Sequence, residues 1–333
     1  MDGGSQPLEM DLYAREERIL DNLVQKESVL IRFMHWNVLA DWLSYGFPKV
    51  SEWYLKKEYR LPLIISEIQA NAIKNDGVKV LPQFIWWWEM DMEKEILKGL
   101  NSIIDYDFAS FKYDYELIKK DGEHNDAIWI FYNTKEFSKV KVFKGHFEKP
   151  DWEFLSERIY LMILFENVQT KQKIIVWTAH LKSRDKNRHI RVAEIAEYLS
   201  KLNEVLNEIQ ESENLTKEEV SSIPLIVSGD FNDIPNSPVV LSMHDPEKTK
   251  GIIFNSAYCV DDVYPEFTTY WFREDDVIKD VIDYIFFRES STLKLKSIRD
   301  IPDDSEIPED IGNPWHRWPS DHFSLAATFE MHN

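Results

Sequence analysis

The sequence predicts an α+β fold, a two-layer β-sandwich flanked by helices and spanning residues 29–331 as one domain. Short apolar runs closed by turn residues alternate with a few long stretches of helical spacing, which is the pattern of strands and covering helices. Only 10 glycines occur in 333 residues and no Gly- or Ser-rich linker appears, so both halves of the chain share one fold. The 12 Trp, 14 Tyr and 19 Phe supply a large core.

Taken in order, residues 1–7 are polar and loose, and 1–28 form an N-terminal extension. Within it, Leu8–Lys26 spaces Leu12, Ile19, Leu20, Leu23 and Val24 as an amphipathic helix. Val29–Val38 (VLIRFMHWNV) is a strand that ends at Trp36-Asn37. Ser51–Asn71 is a helix with Leu61, Ile64, Ile65 and Ile68 on one face. Val80–Trp88 is a buried strand running into Glu89-Met90-Asp91, and Glu93–Ile104 is the next helix. Ala127–Tyr132, Leu161–Glu166 and Lys173–Thr178 are strands, the last followed by Ala179-His180-Leu181-Lys182. Arg191–Gln210 is a helix, and a polar loop continues through Ser222. Leu225–Ser228 is a strand, and so is Val281–Phe287 with Asp283 among apolar neighbours. Lys294–Pro314, charged and proline-spotted, is a surface loop. Trp318–Glu330 is a turn carrying Asp321-His322, then a final strand.

Composition narrows the partners. The net charge of -20 repels a polyanion, so non-specific coating of duplex nucleic acid is not expected. A small anionic substrate, or one strand in a locally neutral cleft, stays open. Cys259 is the only cysteine, which excludes an intrachain disulfide framework and a Cys-rich zinc site. No 18-residue apolar run and no basic-then-apolar start occurs, so the reading is a soluble intracellular protein, the cytoplasm first. The sequence names no protein partner.

The stretch Ile223–Val240 carries the strongest chemistry. Its apolar run leads straight into Gly229-Asp230-Phe231-Asn232. Asp230 and Asn232, two apart, share one side of an extended segment and offer a carboxylate and an amide. That pair suits a hard metal ion and a phosphate oxygen; alone it could also be an Asx-turn after a core strand. The polar residues Asn37, Glu89, His180, Asp230, Asn232, Asp283, Asp321 and His322 nearly all fall at strand ends or turns. A buried polar group costs about 1–3 kcal/mol unless paired, so such placement points to one shared rim. Glu, Asp and Asn together are oxygen ligands for a divalent cation, Mg2+ first or Mn2+. A His beside an Asp is an imidazole a carboxylate can orient.

The motifs W-N-V-L-A from Trp36, E-M-D from Glu89, H-L-K-S-R from His180, G-D-F-N from Gly229, V-I-D-Y-I-F from Val281 and P-S-D-H-F-S-L from Pro319 span nearly the whole chain. With these motifs the sequence resembles the endonuclease/exonuclease/phosphatase superfamily, in the branch that holds nocturnin and the mRNA deadenylases. The resemblance implies a DNase I-like fold and Mg2+- or Mn2+-dependent phosphoester hydrolysis. It implies Glu89 as principal metal ligand, helped by Asn37. It implies that Asp230 and Asn232 hold the attacking water and the phosphate, with Asn37 and Asp283 in the same metal and substrate shell. His180 would contact phosphate, and His322 would be the catalytic histidine, oriented by Asp321 or a neighbouring carboxylate. The family usually carries Gln before the metal Glu; here Trp88 stands there.

Lys182 and Arg184 follow His180 by two and four residues, so in an extended segment all three point one way. By resemblance to nocturnin they would clamp a nucleotide phosphate, favouring the 2′-phosphate of NADP(H); they could equally be solvated loop charges. The alternative substrate is the 3′ end of single-stranded RNA, poly(A) first, with bases stacked on aromatics such as Tyr270, Trp271 or Phe272, which fit the core equally well. A catalytically inactive relative serving as a binding or structural subunit is the second function class, and Trp88 is its main support.

Overall fold

The computed structural model describes residues 12–13, 15–21, 28–75, 78–108, 111–119, 127–147, 159–273 and 276–332. The chain opens with β1 (Glu17–Ile19), β2 (Val29–Asn37), α1 (Glu52–Leu55), α2 (Lys57–Ala70), β3 (Ile73–Asn75), β4 (Val78–Val80), β5 (Phe84–Trp88) and α3 (Glu93–Asp107). Its middle holds β6 (Tyr113–Lys119), β7 (Ala127–Asn133), β8 (Phe137–His146), β9 (Ile159–Asn167), β10 (Lys173–His180), α4 (Arg188–Ser212), α5 (Lys217–Ser222) and β11 (Leu225–Asp230). It closes with α6 (Pro238–His244), β12 (Phe254–Ser256), β13 (Thr269–Arg273), β14 (Asp276–Asp280), β15 (Asp283–Arg288), β16 (Leu293–Arg299) and β17 (Leu325–Met331).

Two sheets form the sandwich. One is seven-stranded, ordered β1-β16-β17-β2-β5-β7-β6; the other is six-stranded, ordered β12-β15-β11-β10-β9-β8. The alternation of strand side chains decides what lies between them. In β5, Phe84, Trp86 and Trp88 enter the core between the sheets, while Ile85 and Trp87 face an outer core with Ile64 and Ile68 of α2 and Ile96 and Leu100 of α3. Both faces are therefore buried, which is why the run is apolar throughout. A third core packs Ile195, Leu199 and Leu202 of α4 and Val240 of α6 on the second sheet. The layers are helix, sheet, sheet, helix, as the fold class predicts.

Several elements differ from expectation. Where Leu8–Lys26 reads as a helix, none forms among the described residues, and β1 instead pairs antiparallel with β16. Residues 1–11, 14 and 22–27, including the polar start, lie outside the described residues. The cause is tertiary. Buried Arg15 donates to Asp300 O, to Ser324 O and Oγ, and to Glu67 Oε1, while Glu17 takes Arg32. These bonds reward a strand at the sheet edge over a helix whose spacing fits only locally. Lys294–Pro314 likewise begins as β16, because Lys296 is buried against Glu330 and Asp21 rather than solvated. The polar loop before Ser222 contains α5, begun by a capping box of Thr216 and Glu219. The Ser51–Asn71 helix breaks in two at Lys56, whose backbone is extended. Val80–Trp88 is split between β4 and β5 around Leu81-Pro82-Gln83.

Candidate active site

Strand register brings the predicted residues together. β10 and β11 run parallel with His180 opposite Asp230, and β11 and β15 run antiparallel with Asp230 opposite Asp283. A Cβ on Gly229 would stand 2.0 Å from Ala179 O, so only glycine lets β11 lie this close just before Asp230. In the first sheet β2 runs parallel to β5 with Asn37 opposite Trp88, which sets Glu89 one residue beyond. His322, just before β17, bridges to Thr269. The same rim of both sheets thus supplies one cluster.

Hydrogen bonds fix that cluster. Asn37 Nδ2 donates to Glu89 Oε1 (3.1 Å) and to Asp230 Oδ2 (3.3 Å), drawing the two carboxylates to one amide. Its Oδ1 accepts from Leu39 N at 3.1 Å, so in this structure Asn37 offers a donor, not a metal ligand, to the site. Asp230 Oδ1 accepts from Asn232 N at 2.9 Å, and Asn232 Nδ2 donates to Leu181 O at 3.0 Å. Asp283 Oδ2 is 2.8 Å from His322 Nδ1 and accepts from Thr268 Oγ1 at 2.9 Å. Asp283 Oδ1 is 3.2 Å from His35 Nε2. Both Asp283 oxygens are thus engaged, as in a carboxylate that orients an imidazole. Asp321, 3.9 Å from His322 Nε2, is not the orienting group. His322 Nε2 instead faces Asp230 Oδ2 at 3.8 Å, and His180 Nε2 lies 3.7 Å from the same atom.

The electrostatics follow from burial and from this crowding. For His322 burial alone would lower the pKa, but Asp283, Asp321 and Asp230 outweigh it and hold the imidazole well above its ordinary value. For Asp283 burial would raise the pKa, but the His322 charge and the bonds from His322 and His35 hold it well below the usual range. Burial pushes Asp230 up to about 7; His322 opposes this, and Asp283 and Glu89 add to it. Burial lowers His35, against its bond to Asp283. Burial also raises Asp321, with His322 opposing.

The loops that present these groups are strained and clamped. Leu39, Glu89 and Asn232 have φ of 61°, 54° and 52°, a region open to Asn but costly for Leu and Glu. Arg60, buried on α2, donates to Val38 O (2.5 Å), Leu39 O and Pro319 O (2.7 Å), tying the loop after Asn37 to the loop before His322. Burial brings its pKa down to about 10. Ser320 Oγ closes the same seam on Asn37 O at 2.7 Å. Asp91 accepts from Asp41 N (2.9 Å) and Trp42 N (3.3 Å), while Ala40 N donates to Glu89 Oε2 (3.4 Å).

The loop after β10 departs from the extended segment expected. The strand ends at His180 and Arg184 has φ 76°, so side chains at 180, 182 and 184 do not share a strand face. Buried Arg191 donates to Lys182 O (2.9 Å) and Arg184 O (2.8 Å), Glu194 Oε2 accepts from Lys182 N (2.8 Å), and Asp233 holds Arg191 Nε (3.0 Å). Arg184 is exposed and Lys182 partly so. Trp88 is fully buried with its ring edge-on to His180 at 5.2 Å, a packing wall behind the site. Tyr270 and Phe272 are buried in the outer core and Trp271 packs edge-on to Phe47, so the β13 aromatics do not form an open stacking surface. His35, Thr268 and Arg60 escaped the sequence reading, while Asp91 and Ser320 stood inside its motifs without a role. Of the three, only His35, polar inside the apolar run of β2, carried a local signal.

For a cation, Asp230, Asp283 and His322 present ligand atoms within 4.8 Å of one another, and Glu89 is held beside Asp230 by Asn37. Half-buried Glu89 and buried Asp230 are hard oxygen donors, and their chemistry fits a divalent ion.

Several known proteins are similar to this chain. The profile of the Endonuclease/Exonuclease/phosphatase family matches residues 207–322. Human nocturnin is 26% identical over 312 residues, covering 90% of this chain. The structure of its catalytic domain superposes with a TM-score of 0.67 at 23% identity, covering 96% of this chain and 98% of that one. The CCR4-Not complex 3′-5′-exoribonuclease subunit Ccr4 of Yarrowia lipolytica is 25% identical over 257 residues, 64% of this chain. ANGEL2, a 2′,3′-cyclic phosphatase solved with adenosine-2′,3′-vanadate, superposes with a TM-score of 0.73 at 20% identity, covering 96% of this chain and 99% of that one. The chain spans 65% of the length of human nocturnin and 36% of that of the Yarrowia subunit. In its motifs, its two-sheet architecture and these relatives together, the chain is similar to the endonuclease/exonuclease/phosphatase superfamily, in its nocturnin and deadenylase branch.

Proposed function

We propose that this chain is a divalent-metal-dependent phosphoester hydrolase acting on a nucleotide phosphate, the 2′-phosphate of NADP(H) first, or on the 3′ end of RNA. The observation that carries the reading is the meeting of Glu89, Asn37, Asp230, Asn232, Asp283 and His322 on one rim, drawn from residues 37 to 322. A Mg2+ or Mn2+ ion held on Glu89 would supply positive charge toward the phosphoryl oxygens. Asp230 accepts a proton from the attacking water, which Asn232 helps to place. His322, protonated on both ring nitrogens, directs its Nε2–H at a phosphoryl oxygen while its Nδ1–H donates to Asp283. His180 contacts the phosphate from the far side of Asp230, and Lys182 and Arg184 sit on the loop beyond it, fixed by Arg191 and Glu194. The lone Cys259 suits a reducing compartment, and we place the protein in the cytoplasm. No helix among the described residues is long and apolar enough to cross a membrane.

The test is release of phosphate from NADP+ and shortening of oligo(A), each with Mg2+ and with EDTA, by wild type and Glu89→Ala. Wild type should turn over at least one substrate with Mg2+ alone, and Glu89→Ala should lose that turnover with an unchanged melting temperature. Turnover that survives EDTA or Glu89→Ala refutes the metal role. A wild type inert on both favours the inactive relative.

A further inference from the structure

Aromatic side chains are overwhelmingly buried in this protein. Among the described residues, the exposed large hydrophobics include only three aromatics, Trp42 (43%), Tyr45 (63%) and Trp53 (54%). All three fall in one short stretch of chain between the Asn37 end of β2 and α2. A single exposed apolar residue is ordinary; three large rings gathered in one segment call for a cause.

The segment is anchored to the candidate site. Ala40 N, Asp41 N and Trp42 N donate in succession to Glu89 Oε2, Asp91 Oδ1 and Asp91 Oδ2. The chain then closes a tight turn: Leu43 N and Ser44 N return to Ala40 O, and Gly46 N returns to Leu43 O. Buried Ser44 donates its hydroxyl to Asp41 O at 2.7 Å. Trp42 and Tyr45 are three apart in the chain, Trp42 just before the tight turn and Tyr45 within it, so one short segment carries both rings. Trp53 continues the surface on α1, with Tyr59 edge-on at 6.0 Å and Lys56 over its ring.

We infer that Trp42 and Tyr45 form a nucleobase-stacking platform beside the phosphoryl site, taking the base or bases attached to the phosphate bound there. The inference rests on the phosphoester-hydrolase reading and names what the substrate carries next to its phosphate. The occupant follows from continuity: the turn that bears both rings is hydrogen-bonded to Glu89, so a group covalently joined to a phosphate at Glu89 lies within reach. Charge argues the same way. A chain of net charge -20 cannot rely on a broad basic groove to hold a nucleic acid, and a π-face binds any base without one. The nucleobase could belong to a single-stranded RNA end or to a dinucleotide, and both supply the same flat ring.

The test is equilibrium binding in EDTA, read by fluorescence anisotropy. The ligands are labelled oligo(A), a labelled abasic oligonucleotide of the same length, and NADP+ as competitor. The proteins are wild type, Trp42→Ala, Tyr45→Ala and the ring-keeping Trp42→Phe and Tyr45→Phe. The alanine variants should lose roughly 5- to 150-fold in affinity for oligo(A), for NADP+ or for both, while the abasic ligand is unaffected. The ring-keeping variants should bind much as wild type does, and melting temperatures should stay level. Which ligand weakens identifies the source of the base. Equal affinity of wild type and both alanine variants for oligo(A) and NADP+ overturns the inference, as does an equal loss on the abasic ligand. No hydrolysis is needed for the readout, so a protein inactive on every phosphoester can still pass, and an active one can still fail.

Discussion

At the scale of single residues, Asp283 is the pivot. Its carboxylate is fully buried and shared by His322, Thr268 and His35, so one ionised group sets the orientation of the imidazole that faces the site. His35 is the supporting member: burial keeps it below its ordinary pKa, and its Nε2 is left to bond Asp283. Replacing His35 with Leu leaves Asp283 Oδ1 buried without that donor, a loss of about 1–3 kcal/mol. Thermal melts should show a lower midpoint, and steady-state kinetics should show kcat falling with KM little changed, because His322 loses its fixed partner. His35→Gln keeps a donor and should recover part of both. A His35→Leu enzyme with wild-type kcat would show that Thr268 and His322 hold Asp283 unaided. Asp283 and His322 are legible from their motifs, but the sequence leaves the group that orients His322 open between Asp321, its chain neighbour, and another nearby carboxylate, because adjacency in sequence is the only distance it offers. The pairing that forms spans 39 positions and exists only once β15 and β17 are in their sheets.

At the scale of elements, the readable strands were those buried on both faces, such as β5, β7 and β11, whose apolar runs are unbroken. Strands at or next to a sheet edge were not readable. β6 and β8 are edges and β16 is covered only by the short β1; all three interleave charged residues with half-buried ones, a pattern hard to tell from a charged loop. β1 misled for a further reason: its stability comes from partners far along the chain. Arg32, buried on β2, reaches Glu17 with two nitrogens, and Ser297 of β16 donates to the same carboxylate. Burial would raise the Glu17 pKa, but the bonds from Arg32 and Ser297 outweigh it and hold it below the ordinary range. A carboxylate lowered on folding contributes stability above its unfolded pKa of about 4.3 and loses it as pH falls through the folded value. Melting midpoints followed from about pH 6 down to about pH 3 should therefore fall more steeply for wild type than for Glu17→Gln, which is less stable at neutral pH and converges with wild type in acid. Parallel curves for the two proteins would show that Glu17 does not hold β1.

At the scale of the whole molecule, the excess of 59 acidic over 39 basic residues sets the sign of the long-range field. The screening length shortens from about 30 Å at 0.01 M salt to about 10 Å at 0.1 M. Repulsion of an anionic strand should fade over that range, so kcat/KM for oligo(A) at fixed free Mg2+ should rise severalfold as salt is added, the reverse of a basic nucleic-acid binder. A fall instead would mean that the Lys182–Arg191 region, not the global charge, governs approach. The architecture also has a consequence in time. β17, the last strand described, lies between β2 and β16 in the middle of the seven-stranded sheet, and Arg60 and Ser320 join the loop after Asn37 to the loop before His322. Synthesis runs from the N-terminus, so a ribosome that has not yet delivered residues 325–331 carries a sheet with a gap at its centre and half a reaction centre. Such a nascent chain can hold the Glu89 side of the site but cannot bring His322 to Asp283. On the proposed function, hydrolytic capacity would therefore appear as a single late event, when His322 meets Asp283.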